Sequence, residues 1–212
     1  MKTDDLIDLL ASGPDVRVEA APQRDLLPLL LGVCCSVALM WVTLGVRRDL
    51  GAAMGGAIFW IKVAFAGSLA WAGLHAARRL AVPGARLGRA PLWIALPFAA
   101  IWTLGLAALW QAERDARAAQ FFGGSWRVCP FFIALLSLPV FAAALVVMRR
   151  RAPTRPALAG AAAGLAAGAV GTLVYCLHCP ETSAAFVAVW YVAGLLAPAA
   201  AGALLGPRLL RW

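Results

Sequence analysis

The stretch PALAGAAAGLAAGAVGTLVYCLHCPE, residues 156–181, decides the fold of this chain. Its first twenty residues carry no charge, and an apolar run of that length matches the hydrocarbon core of a bilayer. Gly160, Gly164 and Gly168 recur at every fourth position, which forms a smooth ridge that a second helix can approach closely. The stretch therefore predicts a packed transmembrane helix, the alternative for the ridge being a substrate path along it.

The composition extends this prediction to the whole chain. Hydrophobic residues make up 63% of the sequence and charged residues 14%, whereas soluble domains contain about 25% charged residues. Six apolar runs are long enough to cross a membrane, at residues 26–46, 57–77, 91–110, 129–148, 157–175 and 184–205. The sequence thus predicts an all-α membrane protein, a six-transmembrane-helix bundle.

Positive charges orient the predicted bundle. Taken alternately along the chain, one set of polar segments contains thirteen Lys and Arg residues and the other set five. Because basic residues favour the cytoplasmic side, both termini are predicted to be cytoplasmic. The first span follows about 25 polar residues rather than a short basic leader, so it is expected to be retained. Residues 1–25 then form a cytoplasmic segment and residues 26–212 the transmembrane domain.

The net charge of the chain is +9. In a soluble protein such a charge favours binding to nucleic acid. Here most basic residues flank apolar runs, so they are expected to anchor helix ends beside membrane lipid, without direct contact with nucleic acid.

A group of metal-ligand and redox residues, CLHCPE at 176–181, follows the fifth span. The predicted orientation places it outside the membrane, level with the start of the fourth span. Five candidate residues then share one level: Cys129, Cys176, Cys179, His178 and Glu181. Thiolate and imidazole are suited to a soft or borderline ion such as Zn, Cd or Cu. The same thiols also suit a redox switch, or one structural disulfide beside a free thiol, and spacing leaves these alternatives open.

Lys62 is the unusual residue within the spans, because an intramembrane charge indicates a function. It lies about five residues from the outer end of its span, so that a snorkelling side chain reaches water. The alternative is an ion pair with an outer carboxylate, from Asp49, Glu113 or Asp115. The sequence favours neither.

Other notable side chains in the spans have structural interpretations. Cys34 and Cys35 lie in the apolar body of the first span, where a free cysteine behaves as a small hydrophobic residue. His75 is predicted to be interfacial at the inner end of the second span. The nine tryptophans and both tyrosines cluster toward span ends, as in the aromatic belts of membrane proteins.

The amino-terminal segment is acidic and amphipathic. Thr3 is suited to cap a short helix with acidic residues in its first turn, and SGP at residues 12–14 ends that helix. The predicted partner-binding residues are Asp4, Asp5, Leu6, Ile7, Asp8, Leu9 and Leu10. A helix this short is unstable alone in water. It is therefore expected either to fold against a basic, grooved protein partner or to remain a frayed tail.

The chain resembles a family of polytopic membrane anti-sigma factors, the negative regulators of sigma F. The resemblance rests on MKTDDLIDLLA at the amino terminus, six spans, W-x-x-C from Trp126 to Cys129, RRRAPTRPALAGAAAGLAAGAVGTLVYCLHCPE at 149–181 and FVAVWYVAGLLAPAAAGALLGPRLLRW at 186–212. It covers nearly the whole chain. It implies an inner-membrane protein whose cytoplasmic segment holds an extracytoplasmic-function sigma factor inactive, and releases it under stress such as heavy metals.

The same resemblance singles out two cysteines. In that family two cysteines are associated with the response to the signal, and their motifs fall on Cys129 of W-x-x-C and Cys179 of H-C-x-E, with Cys176 an additional thiol. The implied mechanism is that a metal ion or oxidant changes the bonding between Cys129 and Cys179. Shifts of the last three spans then reposition the first span and its acidic leader.

Neither enzyme activity nor a constitutive cofactor is implied, only a transient metal ion. Two other classes of function remain as alternatives. A membrane thiol-disulfide oxidoreductase linked to quinone needs a second cysteine pair, and Cys34 and Cys35 lie at the wrong depth for that role. A metal transporter needs polar ligands through its spans, and these spans contain almost none.

Overall fold

The computed structural model of the protein describes residues 3–5, 8, 12, 22–82 and 84–211, with the backbone alone for residues 22–24. From residue 22 onward the helices are α1 (Pro22–Thr43), α2 (Leu50–Met54), α3 (Ala57–Leu80), α4 (Ala90–Gln111), α5 (Arg114–Phe122), α6 (Cys129–Arg149), α7 (Pro156–Cys176) and α8 (Ala184–Leu209). Within α8, Val187–Tyr191 forms a π-helical turn. No residue in the described ranges lies in a β-strand.

Six helices in the described part of the chain are long and apolar enough to cross a membrane, namely α1, α3, α4, α6, α7 and α8. Each coincides with one predicted span to within a few residues. Pro91, Pro130 and Pro156 lie in the first turn of their helices, where the missing N–H leaves no helical bond unmade. The prediction of six helices that are long and apolar enough to cross a membrane is confirmed.

The fifth of these spans, α7, is the centre of the bundle. It packs against α3, α6 and α8, and 67% of its apolar segment is buried inside the protein. By contrast, 17% of α1 and 11% of α4 are buried in this way, which places both at the periphery. The remaining apolar surface of α1 and α4 is suited to lipid.

The predicted glycine ridge is the contact surface between α7 and α8. A methyl group on Gly160, Gly164 or Gly168 would overlap a backbone carbonyl oxygen of α8. The carbonyls concerned belong to Gly202, Pro198 and Leu195 respectively. The predicted close approach of a second helix is therefore confirmed, and the backbone of α8, rather than a substrate path, occupies the groove.

The connections between helices gather at two opposite ends of the bundle. Segments 44–49 and 112–128 both hydrogen-bond to loop 177–183, and we call this the cysteine end. Segments 81–89 and 150–155 lie at the other end with the start of α1 and the last turn of α8, and we call this the arginine end. Arg151 there forms an ion pair with Asp25.

Gly164→Ala is expected to lower the free energy of unfolding by about 1–3 kcal/mol, the usual cost of overpacking a close-packed site. The added methyl group meets backbone atoms of α8, which cannot rotate away. Thermal unfolding of the purified protein in nanodiscs measures the loss. Gly67→Ala is the matched control, since nothing lies within 4 Å of the added methyl group, and its stability should be unchanged or raised. Equal losses in both variants would contradict this account of the ridge.

Candidate functional site at the cysteine end

Three of the five cysteines meet at the cysteine end. Cys129 is the first residue of α6, Cys176 is the last residue of α7, and Cys179 lies in loop 177–183. All three are free thiols and are at most 1% exposed. The structure therefore brings the predicted cysteines into one buried cluster.

Loop 177–183 begins as a continuation of α7. The backbone N–H groups of His178 and Cys179 both donate to the carbonyl oxygen of Tyr175, each at 3.0 Å. This arrangement folds the chain over the end of α7 and buries Cys179. At the end of the loop, the hydroxyl of Ser183 accepts a hydrogen bond from the N–H of Phe186 at 3.4 Å and thereby caps α8.

The Glu181 carboxylate fixes the loop to the connection that precedes α6. Its Oε1 accepts hydrogen bonds from the N–H of Gly124 at 2.8 Å, and from the N–H and hydroxyl of Ser125 at 3.0 Å each. The carbonyl oxygen of Ser125 in turn accepts from the N–H of Cys129 at 2.9 Å. Gly123 has φ of +56°, and a side chain there would collide with the carboxylate. Glu181, predicted as a ligand, here ties the loop to α6.

Lys62 holds the same loop from α3. It is 2% exposed, its Nζ donates a hydrogen bond to the carbonyl oxygen of Glu181, and it lies 5.3 Å from the ring centre of Tyr191. The prediction that Lys62 snorkels or pairs with an outer carboxylate is wrong, because it points into the bundle. Asp49, one of the expected partners, instead binds Arg47. A buried ammonium group stabilises nearby anions, and here its charge acts on the thiols.

The two tyrosines of the chain, Tyr175 and Tyr191, complete the cluster. Both are buried, with ring centres 5.8 Å apart. The π-helical turn of α8 ends at Tyr191. The Tyr191 hydroxyl is buried without a hydrogen-bond partner in the described part of the chain, beside the sulfurs of Cys176 and Cys179. The prediction that the two tyrosines belong to an aromatic belt is therefore wrong. For Tyr175 the sequence contained a sign of its place in the thiol cluster, because Tyr175 immediately precedes Cys176.

Cys129 and Cys179 are close enough to interact directly. The Cys129 thiol acts as a hydrogen-bond donor to the Cys179 sulfur, and the Lys62 ammonium adds a favourable charge. Together these groups lower the pKa of Cys179 to about 6, although burial acts in the opposite direction. Because the thiolate is both the nucleophile and the metal ligand, Cys179 is the reactive member of the pair.

His178 is turned away from this pair. Its Nδ1 donates a hydrogen bond to the carbonyl oxygen of Gly45 at 2.9 Å, and its ring centre lies 5.9 Å from that of Tyr175. Among the described residues, no group of three or more His, Cys, Asp and Glu side chains is placed to hold a metal ion. The predicted ligand set of Cys129, Cys179 and His178 is thus not assembled in this arrangement.

The remaining candidates of the spans lie apart from the cluster. Cys34 and Cys35 are exposed on the outside of α1, as expected of lipid-facing residues. They precede the end of α1 at Thr43 by roughly 12–14 Å along the helix axis. His75 stacks on Trp71, with ring centres 5.5 Å apart.

The acidic amino-terminal residues are helical where the structure describes them. Asp4, Asp5 and Asp8 are exposed, and the hydroxyl and N–H of Ser12 both donate to the carbonyl oxygen of Asp8, at 2.7 and 2.9 Å. The apolar residues of the same prediction lie outside the described residues: Leu6, Ile7, Leu9 and Leu10.

These features define a multi-pass helical membrane protein with a buried thiol cluster at one end of its bundle. The chain belongs to the family described as Negative regulator of sigma F, whose pattern matches residues 9–212. It is 48% identical to the probable anti-sigma-F factor NrsF of Azospira oryzae, over 213 residues and 100% of both chains. It is 41% identical to the anti-sigma-F factor NrsF of Caulobacter vibrioides, over 214 residues and again 100% of both chains. No solved structure matches the chain.

Alkylation of Cys179 is expected to follow a titration with a midpoint near pH 6, because the thiol is protonated and unreactive below that pH. Lys62→Met and Cys129→Ala each remove a group that stabilises the thiolate, so each should raise the midpoint by about one pH unit or more. Mass spectrometry of the Cys179 peptide after iodoacetamide treatment of the full-length protein measures this midpoint.

Two conservative variants provide the controls for this titration. Lys62→Arg keeps the positive charge and Cys129→Ser keeps a hydrogen-bond donor, so both should shift the midpoint less than the disruptive variants. A midpoint for Cys179 that is the same in all four variants and the native protein would contradict the assigned cause.

Proposed function

We propose that this protein is a membrane-bound anti-sigma factor that binds an extracytoplasmic-function sigma factor through residues 1–25. It releases the sigma factor when the bonding between Cys129 and Cys179 changes. Its family and the names of its relatives support the anti-sigma role. The sensing role is carried by one observation: Cys129 and Cys179 are buried in one cluster, where the Cys129 thiol and the Lys62 ammonium lower the pKa of Cys179.

In this proposal the arginine end faces the cytoplasm of a bacterial cell and the bundle lies in the inner membrane. The basic residues of segments 81–89 and 150–155 support that orientation, because Lys and Arg favour the cytoplasmic side. The start of α1 and the amino-terminal segment are then accessible to a soluble sigma factor. The cysteine end lies in the more oxidising space outside the membrane.

The amino-terminal segment supplies the contact with the sigma factor. Asp4, Asp5 and Asp8 present exposed carboxylates, which complement the basic surface that a promoter-binding protein uses for DNA phosphates. From the sequence, the leucines and isoleucine at positions 6, 7, 9 and 10 are expected to supply an apolar stripe for a groove on the partner. Binding then orders a short helix that is unstable alone.

The signalling event we favour is oxidation of the thiol pair. The Cys179 thiolate attacks a two-electron oxidant such as a peroxide and takes one oxygen as sulfenic acid, while the other oxygen leaves as water after protonation. The Cys129 thiol then displaces the sulfenic oxygen, which leaves as a second water, and one S–S bond forms. Starting from one thiolate and one thiol, the pair loses two electrons and one proton, and solvent supplies the second proton that the two water molecules need.

Binding of a soft metal ion is the second candidate event. The two thiols bind Zn, Cd or Cu as thiolates, without any transfer of electrons, and a thiol that is still protonated releases its proton as it binds. The buried ammonium of Lys62 favours oxidation, because a positive charge stabilises a single thiolate but repels a metal cation.

The double variant Cys129→Ser/Cys179→Ser is expected to retain the sigma factor as the native protein does, and to lose its release on treatment with peroxide or cadmium chloride. The reason is that neither a disulfide nor a thiolate–metal bond can form at the pair. Co-purification of the sigma factor with the full-length protein in nanodiscs measures retention. Mass spectrometry of thiol state and bound metal identifies the event.

Cys34→Ser/Cys35→Ser is the matched control, since it removes an adjacent pair of thiols from the exposed face of α1. It should release the sigma factor normally. Normal release by the Cys129/Cys179 double variant would contradict the sensing role. Failure of the native protein to retain any sigma factor would contradict the anti-sigma role, and reduction of quinone by the purified protein would favour an oxidoreductase.

A further inference from the structure

Loop 177–183 is hydrogen-bonded directly to the end of α1, the helix that leads back to the amino-terminal segment. Nδ1 of His178 donates to the carbonyl oxygen of Gly45 at 2.9 Å. The N–H of Arg47 donates to the carbonyl oxygen of Leu177 at 3.1 Å, and Nη1 of Arg47 donates to that of Cys179, also at 3.1 Å. We call these three hydrogen bonds the α1 clamp.

Gly45 and Arg47 are placed for these contacts by the way α1 ends. The N–H groups of Leu44 and Gly45 both donate to the carbonyl oxygen of Met40, at 2.9 and 3.0 Å. Gly45 has φ of +72°, the left-handed conformation that commonly follows a helix and favours glycine. The chain therefore turns sharply after α1 and presents the Gly45 carbonyl and Arg47 to the loop.

The Arg47 side chain is itself held in place. Its Nε and Nη2 donate to the two carboxylate oxygens of Asp49, at 2.8 and 2.6 Å, which leaves Nη1 for Cys179. The Arg47 side chain is 12% exposed. A planar guanidinium bound on two sides has few alternative positions. A displacement of the Cys179 backbone is therefore passed on to the end of α1 instead of being absorbed by rotation of the side chain.

The packing of α1 is suited to transmitting such a displacement. Only 17% of its apolar segment is buried, and its contacts are mainly with α6. Near its middle, the Ser36 hydroxyl donates to the carbonyl oxygen of Leu136 at 2.6 Å, and Gly32 lies against the backbone of Pro139. This contact with α6 is a natural pivot. When one end of α1 moves about it, the other end and the attached amino-terminal segment move as well.

We infer that Arg47 and His178 transmit the state of the Cys129–Cys179 pair to the amino-terminal segment through α1. The inference rests on the proposed function and gives it a physical route. Formation of a bond with Cys129 draws Cys179 toward α6, and the clamp carries that movement to α1 directly. Arg47 and His178 are positioning residues on this route and take no part in the thiol chemistry.

The test compares Arg47→Ala with the native full-length protein in nanodiscs, loaded with the sigma-F factor of the same organism. Diamide, a thiol oxidant, and cadmium chloride are applied separately. Mass spectrometry measures modification of Cys129 and Cys179, and co-purification measures retained sigma factor. Arg47→Ala should show normal modification of both cysteines. The change in sigma retention that diamide or cadmium chloride causes should be about ten times smaller in Arg47→Ala than in the native protein. The reason is that losing one charged hydrogen bond changes an equilibrium constant by about tenfold.

Arg48→Ala is the matched control, because Arg48 is the exposed neighbour on the same connection and its replacement removes the same charge. It should respond as the native protein does. Arg47→Lys keeps the charge but loses the two-sided binding to Asp49, so it should restore only part of the response. His178→Phe, which removes one clamp bond, should also weaken it.

Each other result has a defined meaning. A full response of Arg47→Ala would overturn the inference while leaving the proposed function intact. Loss of cysteine modification in Arg47→Ala would show that Arg47 builds the thiol site, which also overturns its role in transmission. A native protein that retains its sigma factor despite complete modification of both cysteines would overturn the proposed function and the inference together.

Discussion

A polar backbone group buried at the edge of a bilayer must find its hydrogen-bond partner within the protein, because an unpaired group there costs several kcal/mol. Loop 177–183 has no regular structure to satisfy its own carbonyls. Lys62 supplies a donor to Glu181, and Arg47 supplies donors to Leu177 and Cys179. These donors belong to α3 and to the end of α1, while the carboxylate of the same loop binds the connection before α6. Satisfying one short loop therefore fastens three other segments around a reactive thiol.

The energies of these contacts are of the size that a switch requires. A neutral hydrogen bond contributes about 0.5–1.5 kcal/mol net and a charged one about 1.5–3 kcal/mol. The clamp contains both kinds, so its three bonds contribute on the order of 3–5 kcal/mol. Moving a two-state equilibrium from 1:99 to 99:1 takes about 5.5 kcal/mol. The free energy of the clamp is therefore comparable to the free energy needed to shift α1 between two positions. A change at the cysteine pair that alters the clamp can then change sigma binding, provided that the sigma factor prefers one position of α1.

The fold could be predicted from the sequence because its signals are local. A run of apolar residues specifies each span, and glycine at every fourth residue of α7 specifies its close contact with α8. The partners in the site were not predictable in the same way. Lys62 and Arg47 both bind backbone carbonyls more than a hundred residues away along the chain, and a carbonyl is common to every residue. His178 is a neighbour of the thiols in sequence, but its ring direction depends on Gly45. The position of Tyr191 near the end of a span predicts an interfacial residue, whereas its burial depends on which face of α8 it occupies.

The central claim is that the bonding state of Cys129 and Cys179 decides whether the sigma factor is held. The most direct measurement treats the native protein with enough oxidant or cadmium chloride to release about half of the sigma factor. The protein is then separated into sigma-bound and sigma-free fractions, and mass spectrometry determines the linkage of the two cysteines in each. The account predicts free thiols in the bound fraction and a disulfide or metal-bridged pair in the free fraction. The same thiol state in both fractions would contradict it.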